Sequence, residues 1–260
     1  MSEFPKKNIV VVGYPKSGTH WICRLVGELA DCPILGEWGY FDQSQKKYEG
    51  LERISKFQCS KSHHIYDEIF SASSESIHKI IYVIRDPRDV VISGMHYFDF
   101  LPTTFRTFIK RLPKGTALYH MLKGFLHAFV PLKYRKKQMI KAVLKGNPNL
   151  NRWCAMSWKA HYTPYLEKNI LFVSYENMLS QPLIECKKIT EYLELSRTDE
   201  EILDSISKQS FTHRKAESLK KEDTKLLRKG QYGYWKNELT TAEKQLFLKT
   251  LKKEFSHFKY

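Results

Sequence analysis

Three things are scarce in this chain of 260 residues, and each scarcity excludes something. Cysteine is one: Cys23, Cys32, Cys59, Cys154 and Cys186 are odd in number and scattered, with no CxxC pair and no His/Cys cluster at metal spacing. That excludes a disulfide framework or a zinc site, and the expectation is reduced, structural thiols and no metal. Long apolar runs are also missing. The run Ile9 to Val12 stops at Gly13 after four residues, far below the roughly 18 of a membrane span, and no charged-then-apolar leader opens the chain. A soluble, cytoplasmic protein is expected. Acid is short as well, with 28 Asp and Glu against 43 Lys and Arg, so the formal charge is +15 and anions are the expected partners. Neither a repeat nor a low-complexity linker marks a second domain.

What the chain has is strand and helix in alternation. Ile9 to Val12 is a β-branched run suited to a strand buried on both faces, and a helix should begin near Ser17, where Trp21, Ile22, Leu25, Val26 and Leu29 recur at helical spacing. Lys56 to His64 reads as a second strand and Lys79 to Pro87 as a third, followed by a helix through Val90, Val91 and Met95; Asn169 to Met178 repeats the plan. This predicts one α/β domain over residues 1–260, a central parallel sheet flanked by helices, with its ligand at the carboxyl ends of the strands. The stretch at about 101–150 differs, being rich in Lys, Arg, Phe and Leu, and reads as a basic helical insert or lid.

"VVVGYPKSGTHW", Val10 to Trp21, joins the first strand to the first helix. Gly13 and Gly18 match the opening of the ATP-binding pattern GxxxxGK[ST], but Thr19 and His20 stand where Lys and a magnesium-binding hydroxyl belong, and the lysine, Lys16, lies inside the loop. An anion site survives this change: helix-start amides, the hydroxyls of Ser17 and Thr19, and one ammonium group. A metal-dependent small-molecule kinase is therefore the weaker reading. A basic nucleic-acid or membrane-surface binder accounts for the charge but not for the ordered motifs.

"YPKSGTHW" resembles the 5′-phosphosulfate loop of the sulfotransferases that use 3′-phosphoadenosine 5′-phosphosulfate (PAPS). "RDPRDVVIS", Arg85 to Ser93, is similar to that family's 3′-phosphate strand and helix, and "RKGQYGYWKN", Arg228 to Asn237, to its C-terminal loop. The resemblance runs from about Asn8 to Thr240 and implies a P-loop-like nucleotide-binding core, PAPS as cosubstrate and 3′-phosphoadenosine 5′-phosphate (PAP) as product. It assigns Lys16, Ser17, Gly18, Thr19 and His20 to the 5′ side, with capping or packing as the competing role for His20. Trp21, Tyr175 and Phe211 fall to the adenine, each with a core position as the competing role. Arg85, Ser93, Arg228, Lys229 and Gly230 fall to the 3′-phosphate. For Arg88 and Asp89 a surface pair or helix-start charge is preferred.

An attacking hydroxyl must lose its proton, and histidine is the base suited to neutral pH. "KSHH" resembles the family's KTH segment, which maps the catalytic lysine onto Lys61 and the base onto His63. Residues two apart on a strand share a side, so His64 points away; His161 is expected to pack or to line the acceptor pocket. Tyr234 departs from the family's aspartate and His20 from its second threonine. The expected acceptor is a small hydroxylated molecule, an amine being the alternative. Nucleic acid is not an expected partner; a homodimer and peripheral membrane contact through the basic insert are compatible with the pattern.

Overall fold

The structure is a computed structural model that describes residues 6–39, 49–101, 121, 129–252 except 221–229, and 254. The described chain clusters into two compact units, Met1–Asp86 with Ala160–Gly233, and Pro87–Lys159 with Tyr234–Tyr260.

The first unit carries a five-stranded sheet, β1 (Lys7–Val12), β2 (Ile34–Glu37), β3 (Phe57–Ser62), β4 (Ile77–Ile84) and β5 (Leu171–Ser174), in the order β2-β3-β1-β4-β5. The five strands pair in parallel, with Val10 opposite Ser60 and Ile80, and Val83 opposite Val173. Parallel strands need crossovers, so helices cover the sheet, and β1 and the second half of β4 read as apolar runs. One face is dry: Ile9, Val11, Ile81, Val83 and Val173 pack with Ile22, Leu25, Val26 and Leu29 of α1 (Thr19–Leu29). The i, i+3, i+4, i+7 spacing of those α1 residues gives the helix a single apolar stripe. The opposite face holds a polar aromatic layer, in which Tyr82 of β4 packs beside Phe172, Tyr165 and His161.

The α/β class and parallel sheet agree with the sequence reading, with differences at the ends of elements. β2 was not anticipated, because a four-residue edge strand containing Gly36 carries no periodic signal. The first helix starts at Thr19 because Gly18, with φ of 92°, holds the N-cap position. β3 ends at Ser62, one residue before His63.

The order then continues with α2 (Tyr66–Ile69), α3 (Pro87–Tyr97), α4 (Leu132–Lys145), α5 (Trp158–Leu166), α6 (Tyr175–Ser180), α7 (Pro182–Tyr192), α8 (Asp199–Lys208) and α9 (Phe211–Lys220). In the second unit α3 and α4 pack face to face, and a Cβ on Gly94 of α3 would collide with the Met139 side chain of α4. Most of the expected lid, residues 102–120 and 122–128, lies outside the described residues. All five cysteines are buried thiols, and none is in a disulfide.

Candidate functional site

Parallel strands end at the same edge of the sheet, and chain order changes sides across β1, the place at which sheets of this kind hold their ligands. In the first unit that edge collects four of the expected groups: Gly13 to Gly18 after β1, His63 after β3, Arg85 after β4 and Tyr175 after β5.

The loop after β1 is shaped by close approaches. A Cβ on Gly13 would lie 2.7 Å from the Val83 carbonyl oxygen, and one on Gly18 would lie 2.5 Å from Cδ2 of Tyr175. Lys16 has φ of 72°, a left-handed conformation that costs a non-glycine residue about 1 kcal/mol and is retained where the loop has a task. No side chain caps α1, so its first-turn amides face the loop without the usual hydroxyl acceptor. Ser17 Oγ and Thr19 Oγ1 are buried yet have no hydrogen-bond partner. An orphaned buried hydroxyl is destabilising by about 1–3 kcal/mol, and two beside an open helix start fit an anion that supplies the missing acceptors.

Arg85 is buried at the end of β4. Its Nη1 donates to the Lys16 carbonyl oxygen at 3.0 Å and its Nη2 to that of Gln231 at 3.3 Å, while its guanidinium lies 4.1 Å from the Tyr175 ring centroid. The buried Nε has no partner. Backbone carbonyls thus meet part of the charge that the sequence left to a phosphate. Glu176, unnoticed in the sequence, braces this corner: its Oε1 accepts the Asp86 N–H at 3.0 Å and its Oε2 the Ser174 hydroxyl at 3.1 Å, and burial raises its pKa.

His63 donates its Nδ1–H to the Gly13 carbonyl oxygen at 2.7 Å, which places the ring's lone pair on Nε2. Burial, with Lys61 next in size, lowers its pKa to about 3, so the imidazole is neutral at physiological pH. Behind it stands His161 of α5, 1% exposed. His161 Nε2 donates to the His63 carbonyl oxygen at 3.0 Å, and its Nδ1 takes the Tyr82 hydroxyl at 2.8 Å; burial lowers its pKa to about 4. The Tyr165 hydroxyl donates to the His64 carbonyl oxygen at 2.8 Å. Tyr82 and Tyr165 were absent from the sequence reading. A hydroxyl within the apolar strand "KIIYVI" was the one available signal.

Lys61 does not reach into empty space: its Nζ lies 3.4 Å from Oε2 of Glu37 on the unanticipated β2. His64 turns to Ser62, with 2.9 Å between its Nδ1 and the hydroxyl oxygen. Trp21 is half-buried, donates Nε1–H to the Gln209 carbonyl oxygen at 2.8 Å, and meets Tyr175 edge-on at 5.6 Å. Phe211 begins α9, with its ring against Gly230. His20 is half-buried on the first turn of α1. Arg228 and Lys229 lie outside the described residues.

In the second unit, Ser93 is half-buried on α3. Of the two roles expected for Arg88 and Asp89, Asp89 does stand as a helix-start charge in the first turn of α3, but the surface pair is corrected. Both are buried; the Arg88 guanidinium carbon lies 3.5 Å from the Trp235 ring centroid, and an Asp89 carboxylate oxygen accepts the Trp235 N–H at 3.2 Å. A cation over an indole face and a carboxylate on a backbone amide both offset part of the cost of burying the charge.

Fold and site together define a P-loop-like α/β protein whose first strand–loop–helix carries two unpartnered buried hydroxyls at an uncapped helix start. The sulfotransferase domain family matches residues 6–259, and the chain belongs to that family. It is 23% identical to human sulfotransferase 2A1 over 96% of this chain and 85% of the relative, and 27% identical to mouse sulfotransferase 2A6 over 97% and 85%. Mouse sulfotransferase SULT7A1 complexed with PAP superposes with a TM-score of 0.62 at 25% identity, over 95% of this chain and 85% of that one. Retinol dehydratase, crystallised with retinol and PAP, shares the fold at 16% identity and a TM-score of 0.59, over 97% and 82%. The chain is thus a sulfotransferase-family enzyme, and membership displaces the kinase reading of the loop.

Proposed function

We propose that this chain, acting as one sulfotransferase domain over residues 1–260, binds PAPS and moves its sulfuryl group to a hydroxyl of a small-molecule acceptor. The observation that carries the proposal is the meeting, at one edge of the sheet, of two orphaned buried hydroxyls on an uncapped helix start with a neutral histidine of fixed tautomer.

When bound, PAPS supplies an activated sulfuryl group on a phosphate leaving group. The chain's residues divide the remaining work. Ser17, Thr19 and the α1 amides hold the 5′ phosphate oxygens, and Lys16 and Lys61 meet the negative charge that grows there as sulfur departs. Arg85, with the Gly230 amide, takes the 3′-phosphate, the group that ATP lacks, a role that the family resemblance also gives to Ser93, Arg228 and Lys229. Tyr175, Trp21 and Phe211 serve the adenine. His63 Nε2 receives the acceptor's proton while Gly13 and His161 keep the ring and its carbonyl in place. Lys61 and Lys16 both lower the His63 pKa, so an anion held by those lysines raises it toward the range of a useful base. The acceptor is a hydroxylated small molecule, and work in the cytoplasm suits one; among the described residues no helix is long and apolar enough to cross a membrane.

Calorimetry with PAP and ATP tests the nucleotide half: tight PAP and weak ATP binding is expected, and equal affinities would overturn it. Mass spectrometry of a panel of phenols, alcohols and amines incubated with PAPS tests the transfer. His63→Ala is expected to bind PAP normally and to lose at least a hundredfold in turnover; loss of PAP binding as well would make the histidine a structural residue.

A further inference from the structure

Helix α4 (Leu132–Lys145) holds six cations and no acid in its 14 residues. The fold sorts them. Lys136 is drawn inward, its Nζ 2.9 Å from both the Glu238 carbonyl oxygen and a Glu243 carboxylate oxygen, and Arg135 donates to the Val130 carbonyl oxygen at 2.9 Å. The other four, Lys133, Lys137, Lys141 and Lys145, are exposed, spaced four residues apart, and have no carboxylate partner among the described residues. Four-residue steps put them on one face, a ladder roughly 18 Å long. The opposite face, Met139, Ile140, Ala142 and Val143, is buried, with Met139 against Gly94 of α3.

This arrangement does not serve folding. Like charges at i, i+4 are destabilising, and the ladder contains three such pairs in succession. Other exposed helices pair their lysines: Lys208 meets Asp204 on α8 at 2.6 Å, and Lys187 of α7 meets Asp199 at 2.8 Å. At the amino end of the ladder, Phe129 is 69% exposed, with Leu132 at 47% and Tyr134 at 44%. A row of long, flexible cations with apolar and aromatic side chains at one end suits a surface that is flat, anionic and soft.

We propose that the α4 ladder docks the protein reversibly on an anionic lipid bilayer, with the four lysines among the headgroups and Phe129, Leu132 and Tyr134 at the interface. Docking is independent of the sulfuryl-transfer reading and holds even if that reading fails. It gives the protein access to amphiphilic molecules concentrated at membranes.

Co-sedimentation of the full chain with vesicles tests it. Binding to phosphatidylcholine vesicles containing phosphatidylserine, weakened by salt, is expected, with little binding to phosphatidylcholine alone. Each lysine near such a surface is worth about fivefold in partition, so Lys133→Gln/Lys137→Gln/Lys141→Gln should lose on the order of a hundredfold. Glutamine keeps the helix propensity and relieves the repulsion, so the triple variant should melt at the same or a higher temperature. The single changes, each expected to lose about fivefold, provide the reading should the triple variant fold poorly. Equal sedimentation of variants and wild type would overturn the proposal. So would equal binding to neutral vesicles, or displacement of the protein from phosphatidylserine by a short DNA duplex at matched charge, which would make the ladder a general polyanion site.

Discussion

Acid should unfold this protein through two histidines. His161 is buried with a pKa near 4, and half-buried His63 has one near 3, whereas both titrate near 6.5 in the unfolded chain. A histidine whose pKa falls on folding is held neutral by the fold, so below pH 6.5 the unfolded state binds the extra proton. Stability is therefore greatest above about pH 6.5, declines as pH falls toward the folded values, and levels off below them. From pH 7 to pH 5 each group costs about 2 kcal/mol, or about 4 kcal/mol together, a large share of the 5–15 kcal/mol typical of a folded domain. Urea unfolding at the two pH values measures this directly. His161→Gln, which keeps a side-chain donor toward the His63 carbonyl oxygen, is expected to halve the pH dependence whatever it does to stability at pH 7. If the variant and the wild type lose the same stability between pH 7 and pH 5, His161 is not held neutral and the reasoning fails.

Three further outcomes follow from the site's geometry. Ser17→Ala removes an unsatisfied buried hydroxyl, so the ligand-free protein should gain about 1 kcal/mol, a few degrees in Tm, while PAP affinity falls about tenfold; thermal melts with and without PAP would separate the two effects. Gly18→Ala forces a side chain onto φ of 92° and into the Tyr175 ring, and should lose about 2 kcal/mol of stability together with most PAP binding, as read by calorimetry. Tyr82→Phe keeps the ring packing but leaves Nδ1 of His161 without its hydroxyl, so unfolding should become easier by about 1–3 kcal/mol; an unchanged urea midpoint would remove Tyr82 from the support of His63.

Much of this protein is local and hence legible in order of residues. The apolar runs and their helical spacings announce a parallel α/β sheet, and "YPKSGTHW" announces an anion loop, because a φ-permissive glycine, two hydroxyls and a lysine between strand and helix have few other uses. Other features depend on contacts between distant segments. Nothing near Glu37 indicates that it will face Lys61, and nothing near Arg88 indicates that an indole from residue 235 will bury it. The support of His63 is of the same kind: Tyr82 and His161 are 79 residues apart and meet because the Tyr82 face of β4 lies under α5. Chain order by itself determined which chemical groups are available and the strand ends at which most of them stand. Tertiary structure alone decided which are neutral, which are paired and which are left open, because burial and the geometry of nonlocal hydrogen bonds set protonation and partnership.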